Sequence, residues 1–343
     1  MSGNNYSDYR SRGIAYSGFA SSDERERKKA EKLRAERVEK AKETVHEKST
    51  KARPKREDNA VYDDKLVRLG ITKPKPGVKR VYVIYIDNSG SNRVIAAHLR
   101  KSSAWLLSLL KMLDPEAQIA FVYFSDHTDG SQFTQEVDFV SPDEEGDKIM
   151  FSTISHISAA NGFDVPEAHE CALKAACEIN FGGAVEKHLI MISDVVGHGM
   201  GMPFDDGCPA QQSWKKSVEL VAKTYDTFHF IGCGDDAEVC ELQQQFISDP
   251  KRVPWDLIDL SMVKDEQHRM RITGNAIMFL IARQLGRQAM EMFLGFLYEK
   301  WLDDPIFGEA TDARAQEMIR RFTKYLEWPE TEIEDMLKKV FVQ

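Results

Sequence analysis

The residues best able to do chemistry follow an apolar run near the first quarter of the chain. Val81-Tyr-Val-Ile-Tyr-Ile86 leads directly into Asp87-Asn-Ser89-Gly90-Ser91. A carboxylate and two hydroxyls at alternating positions, on a turn kept open by a glycine, can point into one cavity. These hard oxygen ligands suit Mg²⁺, or another divalent cation such as Mn²⁺, better than a soft metal that prefers Cys and His. The structural alternative is that Ser89 or Ser91 caps the free amides of a following helix.

Two further aspartates stand in comparable positions. Asp194 comes directly after the apolar run Leu189-Ile-Met-Ile-Ser193, where a carboxylate would be uncompensated unless it met a cation or hydrogen-bond donors. Asp164 lies in a loop that opens a helix, although Asp164-x-x-Glu167 is also a capping box. His198, between two glycines, is interpreted as a residue that stabilises the loop or orients a ligand.

These three elements together resemble the metal-ion-dependent adhesion site of the von Willebrand factor A family, in its intracellular form. That family has D-x-S-x-S after the first strand, which Asp87, Ser89 and Ser91 match. It has an Asp after the fourth strand, which Asp194 matches in the form S-D-x-x-x-H-G. The second loop is similar to the family's G-G-x-D-x-P-E-A version, in which Asp164 replaces the usual Thr and the leading glycines are only partly kept.

The resemblance implies a binding site and no catalysis. Asp87, Ser89 and Ser91 would coordinate Mg²⁺ directly, and Asp164 and Asp194 would do so directly or through water. The open position of the ion would accept a carboxylate from a protein partner. We therefore expect a non-enzymatic, Mg²⁺-dependent protein-interaction module.

Alternating apolar runs and amphipathic segments must position these residues. Strands are predicted at 81–86, 119–124, 136–140, 188–193 and 227–231, and helices at 93–113, 141–156, 166–179 and 214–225. This alternation predicts a doubly wound, mostly parallel α/β sheet, similar to von Willebrand A and Rossmann folds. Ligands of such sheets bind at the carboxyl ends of the strands, where Asp87 and Asp194 are expected.

The chain divides into three predicted parts, of which the family resemblance covers only residues 78–235. Strand signals stop after residue 234, and 236–343 are predicted to be an all-helical extension that either closes over the sheet or forms its own module. Gly274 and Gly286 are positions at which its long helical run is most easily bent or interrupted. Residues 1–77 are predicted to be a flexible, disordered or helical basic arm and linker.

The charge is distributed unevenly. The chain has 343 residues and a net charge of −9, yet residues 1–60 hold 16 Lys and Arg against 11 Asp and Glu. That arm is thus +5, and the remaining chain, with 30 basic and 44 acidic residues, is −14. Residues 22–56 are therefore a candidate contact for nucleic acid or an acidic partner. The alternative function is a nucleic-acid-binding or scaffold protein that acts through this arm.

Composition argues against several other classes. No run approaches the ~20 apolar residues of a membrane span, and the N-terminus has no apolar signal region, so a cytoplasmic protein without a membrane partner is expected. The five cysteines are odd in number and contain no C-x-x-C pair, which indicates neither a disulfide framework nor a zinc knuckle. His169, Cys171 and Cys177 are interpreted as ordinary core and surface positions. Oligomeric state is left open.

Enzymatic alternatives fit the motifs less well. An Asp after a first strand is also the nucleophile of aspartyl-phosphate enzymes and the phosphoacceptor of receiver domains. Phosphatases of the haloacid-dehalogenase type need D-x-D, whereas this chain has Ser89. A receiver needs a lysine at the end of a late strand, where Gly232-Cys-Gly234 stands instead. The glycines of 197–201 lack the G-x-G-x-x-G spacing of a dinucleotide loop.

Overall fold

The computed structural model describes the central part of the chain and most of its C-terminal helices. The described residues are 70, 71, 73–127, 129, 133–158, 166–184, 186–200, 207–234, 239, 255–260, 266–303, 326 and 328–342, with isolated helical positions between 32 and 43 and between 316 and 323. Asp164 and nearly all of the basic arm lie outside them. Among the described helices, none has the length and apolar character needed to cross a membrane.

A six-stranded sheet forms the centre of the protein. Its strands are β1 Arg80–Asp87, β2 Gln118–Phe124, β3 Thr134–Val140, β4 Glu186–Ser193, β5 Thr227–Gly232 and β6 Trp255–Asp259. They lie in the order β3-β2-β1-β4-β5-β6. All neighbours are parallel except β3, which runs antiparallel to β2 at one edge. The prediction of a mixed α/β fold with a mostly parallel sheet is confirmed.

The last strand was not expected from the sequence. β6 pairs with β5 from Phe228↔Trp255 to Gly232↔Asp259, so the prediction that strands stop after residue 234 is wrong. The sheet extends beyond the predicted boundary at 235. Trp255-Asp-Leu-Ile-Asp259 is short and contains two aspartates, and therefore lacks the long apolar run by which buried parallel strands are recognised.

The strand β1 is buried on both faces, which explains its unbroken apolar sequence. Tyr82, Ile84 and Ile86 pack into the apolar cluster on one face. Val81 and Tyr85 pack into the cluster on the opposite face. Since successive side chains of a strand point to opposite faces, a central strand covered on both sides is apolar along its middle, here from Val81 to Ile86.

Helices cover both faces of the sheet. They are α1 Arg93–Lys101, α2 Ser103–Leu113, α3 Glu144–Ile154, α4 His169–Cys177, α5 Trp214–Thr224, α6 Glu266–Leu285, α7 Arg287–Asp303 and α8 Glu330–Val342. Residues of α4 and α5 join the cluster that contains Val81. Residues of α1, α2, α6, α7 and α8 join the cluster that contains Ile84. The C-terminal helices therefore close over the sheet and share its core.

Several helix boundaries differ from the predictions. The single helix expected at 93–113 is two helices separated by Ser102. The helix expected from Ser141 begins at Glu144, because the carboxylate of Asp143 accepts the amide of Gly146 at 2.8 Å and caps it. The long C-terminal run breaks at Gly286, whose φ of 92° lies in the left-handed region that glycine adopts readily.

Candidate metal site

The sheet topology brings the two described aspartates of the motif to one place. β1 and β4 are neighbours at the centre of the sheet, with Ile86 opposite Ile192. From this pair the chain continues in opposite directions, to β2 and β3 on one side and to β5 and β6 on the other. Ligands of open α/β sheets bind at such a switch point, outside the carboxyl ends of the strands. Asp87 ends β1 and Asp194 directly follows β4.

The side chains of the motif form one connected cluster. The Oδ1 atom of Asp87 accepts the amide of Ser89 at 2.9 Å. The hydroxyls of Ser89 and Ser91 lie 3.3 Å apart. Ser91 in turn donates from Oγ to Oδ1 of Asp194 at 3.3 Å. Two segments about a hundred residues apart in sequence thus contribute two carboxylates and two hydroxyls to a single group.

The serines do not cap the helix that follows them. The N-cap of α1 is Asn92, whose side chain makes no capping hydrogen bond. Instead its Nδ2 atom donates to the carbonyl oxygen of Asp87 at 2.7 Å, and its Oδ1 atom accepts from the thiol of Cys233 at 3.2 Å. The capping alternative for Ser89 and Ser91 is therefore not what the structure contains.

Asn88 fixes the loop from its other side. Its amide donates to the carbonyl of Phe124 at 2.7 Å, and its Nδ2 atom donates to the carbonyl of Ser158 at 2.8 Å. Arg100 donates to its Oδ1 atom at 2.7 Å. Together these hydrogen bonds tie the motif to the end of β2, to the segment after α3 and to α1. No sequence pattern indicated this role of Asn88.

Ser193 and His169 orient the carboxylate of Asp87. Ser193 donates from Oγ to Oδ2 of Asp87 at 2.6 Å, and Nε2 of His169 lies 3.0 Å from the same hydroxyl. Because the hydroxyl proton goes to Asp87, His169 must donate its Nε2 proton to Ser193. Burial lowers the pKa of His169 to about 3, with a smaller contribution from His198, so this imidazole is neutral at physiological pH.

Acidic groups accumulate at this edge of the sheet. Burial raises the pKa of Asp87, although the hydrogen bonds from Ser193 and Ser89 oppose that rise. The pKa of Glu167 is raised well above its usual value by burial and then by Asp87. Among the described residues, Oε2 of Glu167 has no hydrogen-bond partner. Like charges in a dry environment disfavour one another's ionised form, and a divalent cation would relieve this.

The second loop of the motif reaches the site through Glu167. Its amide donates to the carbonyl of Val196 at 3.0 Å, and its carbonyl accepts the amide of His198 at 3.1 Å. The helix predicted from residue 166 begins only at His169, with Ala168 as its N-cap. Glu167 is a buried carboxyl whose charge interacts with those of Asp87 and Asp194, a role hidden by its place in the capping-box pattern.

His198 connects two loops at the same edge. Its Nε2 atom lies 2.8 Å from Oδ1 of Asp126, two residues beyond the end of β2, and both side chains are almost completely buried. His198 itself lies in a short 3₁₀ turn after β4. This hydrogen bond holds the loop after β4 against the loop after β2.

The oxygen cluster fits a hard divalent cation and opens toward solvent. Asp87 and Ser89 are buried, Asp194 is partly buried, and Gly90 and Ser91 are exposed. The side chains of Asp87, Ser89, Ser91 and Asp194 all offer oxygen. The fully buried carboxylate of Asp87 accepts hydrogen bonds from an amide and a hydroxyl, which are uncharged donors. This is the ligand chemistry that Mg²⁺ and Mn²⁺ prefer.

Comparisons with known proteins give no family assignment. No protein-family model matches the chain, and neither does any curated protein. The pilus adhesin SpaC from Lactobacillus rhamnosus GG, in its open conformation, matches with 13% identity and a TM-score of 0.41, over 65% of this chain and 31% of that one. The PilB minor pilin from Streptococcus sanguinis matches with 13% identity and a TM-score of 0.40, over 62% and 64%.

The similarity to these structures is too weak to indicate a function. The chain spans about a third of the length of the adhesin and less than two thirds of the pilin. The function must therefore be inferred from the geometry and chemistry of the site.

Proposed function

We propose that this protein is an intracellular von Willebrand A-like domain protein that binds partner proteins through a Mg²⁺-dependent adhesion site, without catalysis. Asp87, Ser89 and Ser91 would hold the ion directly. Asp164 and Asp194 would hold it directly or through water. The observation that carries the proposal is the 3.3 Å hydrogen bond between Ser91 and Asp194, because it joins the first and third elements of the motif.

The bound ion would supply a positive field and an open coordination position. The chain's own residues determine where that position faces. Asp87 and Ser89 close the inner side of the cluster, whereas the exposed Ser91 and the partly buried Asp194 border solvent. A ligand must therefore arrive from outside the protein. A carboxylate of a partner is the matching hard anionic ligand.

The architecture supports the finer fold assignment. Helices lie on both faces of a sheet whose strand order reverses between β1 and β4, as in doubly wound folds. The motif occupies the carboxyl edge at that reversal. Fold alone does not define function, so the donor set of the cluster has the greater weight.

Phosphoryl transfer fits this site less well. A phosphatase of the haloacid-dehalogenase type needs an acid two residues after its nucleophile, and Ser89 has no carboxyl group to donate a proton. Both oxygens of Asp87 also accept hydrogen bonds from neighbours. The basic arm lies almost entirely outside the described residues, so nucleic-acid binding by residues 22–56 stays a prediction.

Metal binding is the first test. Ser91 is exposed, so Ser91→Ala removes one ligand without disturbing the core. Ser108→Ala is the matched control, because Ser108 is an exposed serine of α2 whose hydroxyl donates to the carbonyl of Ala104 in its own helix. We expect Mn²⁺, followed by its paramagnetic resonance signal, to bind Ser91→Ala about tenfold or more weakly and to bind the control normally. Equal binding by all three proteins would refute the site.

Partner binding is the second test. The full chain, Ser91→Ala and Asp87→Ala are used to recover partners in Mg²⁺ and in chelator, with folding of each variant checked by near-ultraviolet circular dichroism. We expect recovery only by the unchanged chain in Mg²⁺. Recovery that is indifferent to chelator and to both substitutions would contradict the adhesion-site function. Loss of every partner on deletion of residues 1–60 would favour the basic arm instead.

A further inference from the structure

A second group of metal-binding side chains lies close to the oxygen cluster and has different chemistry. His127 belongs to the turn after β2, Cys171 to α4, and Cys208 to the segment before α5. Nε2 of His127 is 3.2 Å from Sγ of Cys171 and 3.5 Å from Sγ of Cys208. The two sulfur atoms are 3.4 Å apart. One imidazole nitrogen and two sulfurs thus form a compact triangle.

We propose that His127, Cys171 and Cys208 bind a zinc ion. A tetrahedral zinc ion with ordinary bond lengths holds its sulfur and nitrogen ligands about 3.5 to 3.8 Å from one another. The three separations in the structure lie within a few tenths of an ångström of those values. Thiolate and imidazole are ligands that select zinc over the hard cations of the neighbouring cluster.

The neighbours of His127 are those of a zinc-bound histidine. Its other ring nitrogen, Nδ1, lies 3.4 Å from Oδ1 of Asp126. This separation is an ion-pair distance and not a hydrogen bond, and a small ring rotation would let Nδ1 donate to the carboxylate, which would orient Nε2 toward a metal. Asp126 is fixed in turn by His198 at 2.8 Å, and the ring of Phe133 stacks on His127 with centroids 5.5 Å apart.

The surroundings suit a buried zinc site with three protein ligands. Cys171 is fully buried and Cys208 is 7% exposed. Both belong to a small apolar cluster with Phe133, Ala168 and Ala175. Such an environment excludes competing ligands and would keep a zinc ion from exchanging with solvent. The described residues provide three ligands, and a fourth position remains for water or for another side chain of the chain.

The ion would join three segments that lie far apart in the sequence. His127 and Cys171 are 44 residues apart, and Cys171 and Cys208 are 37 residues apart. All three segments border the carboxyl edge of the sheet, and α4 begins two residues after Glu167. Zinc would therefore hold the surroundings of the oxygen cluster in place. The zinc site is independent of the proposed adhesion function.

The main competing arrangement is a disulfide between Cys171 and Cys208. Their sulfurs are 3.4 Å apart, and a disulfide would need them at about 2.05 Å. A disulfide would not account for the position of His127 next to both sulfurs, or for that of Asp126 beside His127. The two arrangements are distinguished by metal content and by thiol titration of the same sample.

The test uses the full chain purified under reducing conditions. Zinc is measured by plasma mass spectrometry, and we expect about one ion per chain. We expect Cys171→Ser and Cys208→Ser to lose it. Cys177→Ser, a change of a partly buried cysteine in the same helix α4, is the matched control and should retain it. Ser91→Ala should also retain zinc, because the oxygen cluster is a separate site.

Cobalt substitution gives a readout that needs no variant to fold. Co²⁺ bound to the unchanged chain should show thiolate-to-cobalt charge transfer and the intense visible bands of a tetrahedral site. A reduced chain that takes up neither zinc nor cobalt through thiolates would overturn the proposal. So would a Cys171–Cys208 disulfide in the metal-free native protein, or equal loss of zinc from the Cys177→Ser control.

Discussion

Replacing Gly234 by alanine should displace Asp194 and thereby weaken Mg²⁺ binding. Gly234 follows β5 and lies against the residue after β4. A Cβ atom at this position would come within 2.8 Å of the carbonyl oxygen of Asp194 and 3.4 Å of its Cα atom. Both atoms belong to the main chain, which cannot rotate away as a flexible side chain would. Glycine is required here because there is no room for a Cβ atom, and not because of the backbone conformation.

The expected displacement exceeds what a metal site tolerates. Ordinary contact with the new methyl group begins near 3.4 Å, so Asp194 must retreat by about 0.6 Å, whereas ligand distances in a metal site hold to about 0.2 Å. Mg²⁺ also demands nearly ideal octahedral geometry. We expect affinity to fall about tenfold to hundredfold, or about 1.4 to 2.8 kcal/mol. Overpacking should lower the free energy of unfolding by about 1 to 3 kcal/mol.

The assay is calorimetric titration of each metal-free variant with Mg²⁺, at a temperature where both remain folded. The control is Gly274→Ala in α6. There an added Cβ would meet Trp105 and Leu99 at 3.6 and 3.8 Å, which are ordinary contacts, and alanine is the better helix former. We expect unchanged Mg²⁺ affinity in the control. If Gly234→Ala also bound Mg²⁺ as the unchanged protein does, the assignment of Asp194 to the metal site would be refuted.

Three further outcomes are expected from other parts of the structure. Ser193→Ala leaves Oδ2 of Asp87 without its hydroxyl donor, so the free energy of unfolding should fall by about 1 to 3 kcal/mol in urea titration, with weaker Mg²⁺ binding than in Ser108→Ala. Burial lowers the pKa of His188 to about 4, so the unfolded chain takes up a proton at higher pH than the folded one. Stability should therefore fall by up to about 1.4 kcal/mol per pH unit as the pH is lowered from about 6.5 to about 4, and His188→Phe should remove that part of the slope. Gly286→Ala places a side chain at a φ of 92° and should lower the melting temperature, with a loss of about 1 kcal/mol.

The main elements of the site could be predicted because they follow a geometric rule. An apolar run that ends in Asp87 and another that ends just before Asp194 are both read directly from the sequence. Parallel strands place their carboxyl ends at one edge, so the two aspartates were expected together. Their distance from each other along the chain did not matter.

Residues whose position depends on the path of loops could not be predicted in this way. Cys171 and Cys208 show no recognised spacing, and their proximity to His127 arises only from how three separate segments meet. Glu167 matched a capping box, but α4 begins two residues later, which leaves its carboxyl buried. Local pattern cannot distinguish these outcomes, because both satisfy the same sequence preferences.

The strand β6 was missed for a related reason. Its sequence contains two aspartates and so lacks an apolar run. As an edge strand it also forms backbone hydrogen bonds with only one neighbouring strand. No local preference therefore distinguishes Trp255–Asp259 from a loop until β5 is in place beside it. The cytoplasmic location, the partner of the basic arm and the metal set that includes Asp164 stay predictions.

The shared core of the sheet and the C-terminal helices has a consequence for synthesis. Tyr82 and Ile84 leave the ribosome about two hundred residues before Met278 and Phe279, yet all four lie in one buried cluster. Until the later segment emerges, the C-terminal helices cannot cover their part of one apolar face of the nascent sheet. Contacts between residues so distant in sequence also form slowly. A chain released near residue 235 would keep every described ligand of both proposed metal sites and still expose to chaperones and proteases the part of that face that the C-terminal helices cover.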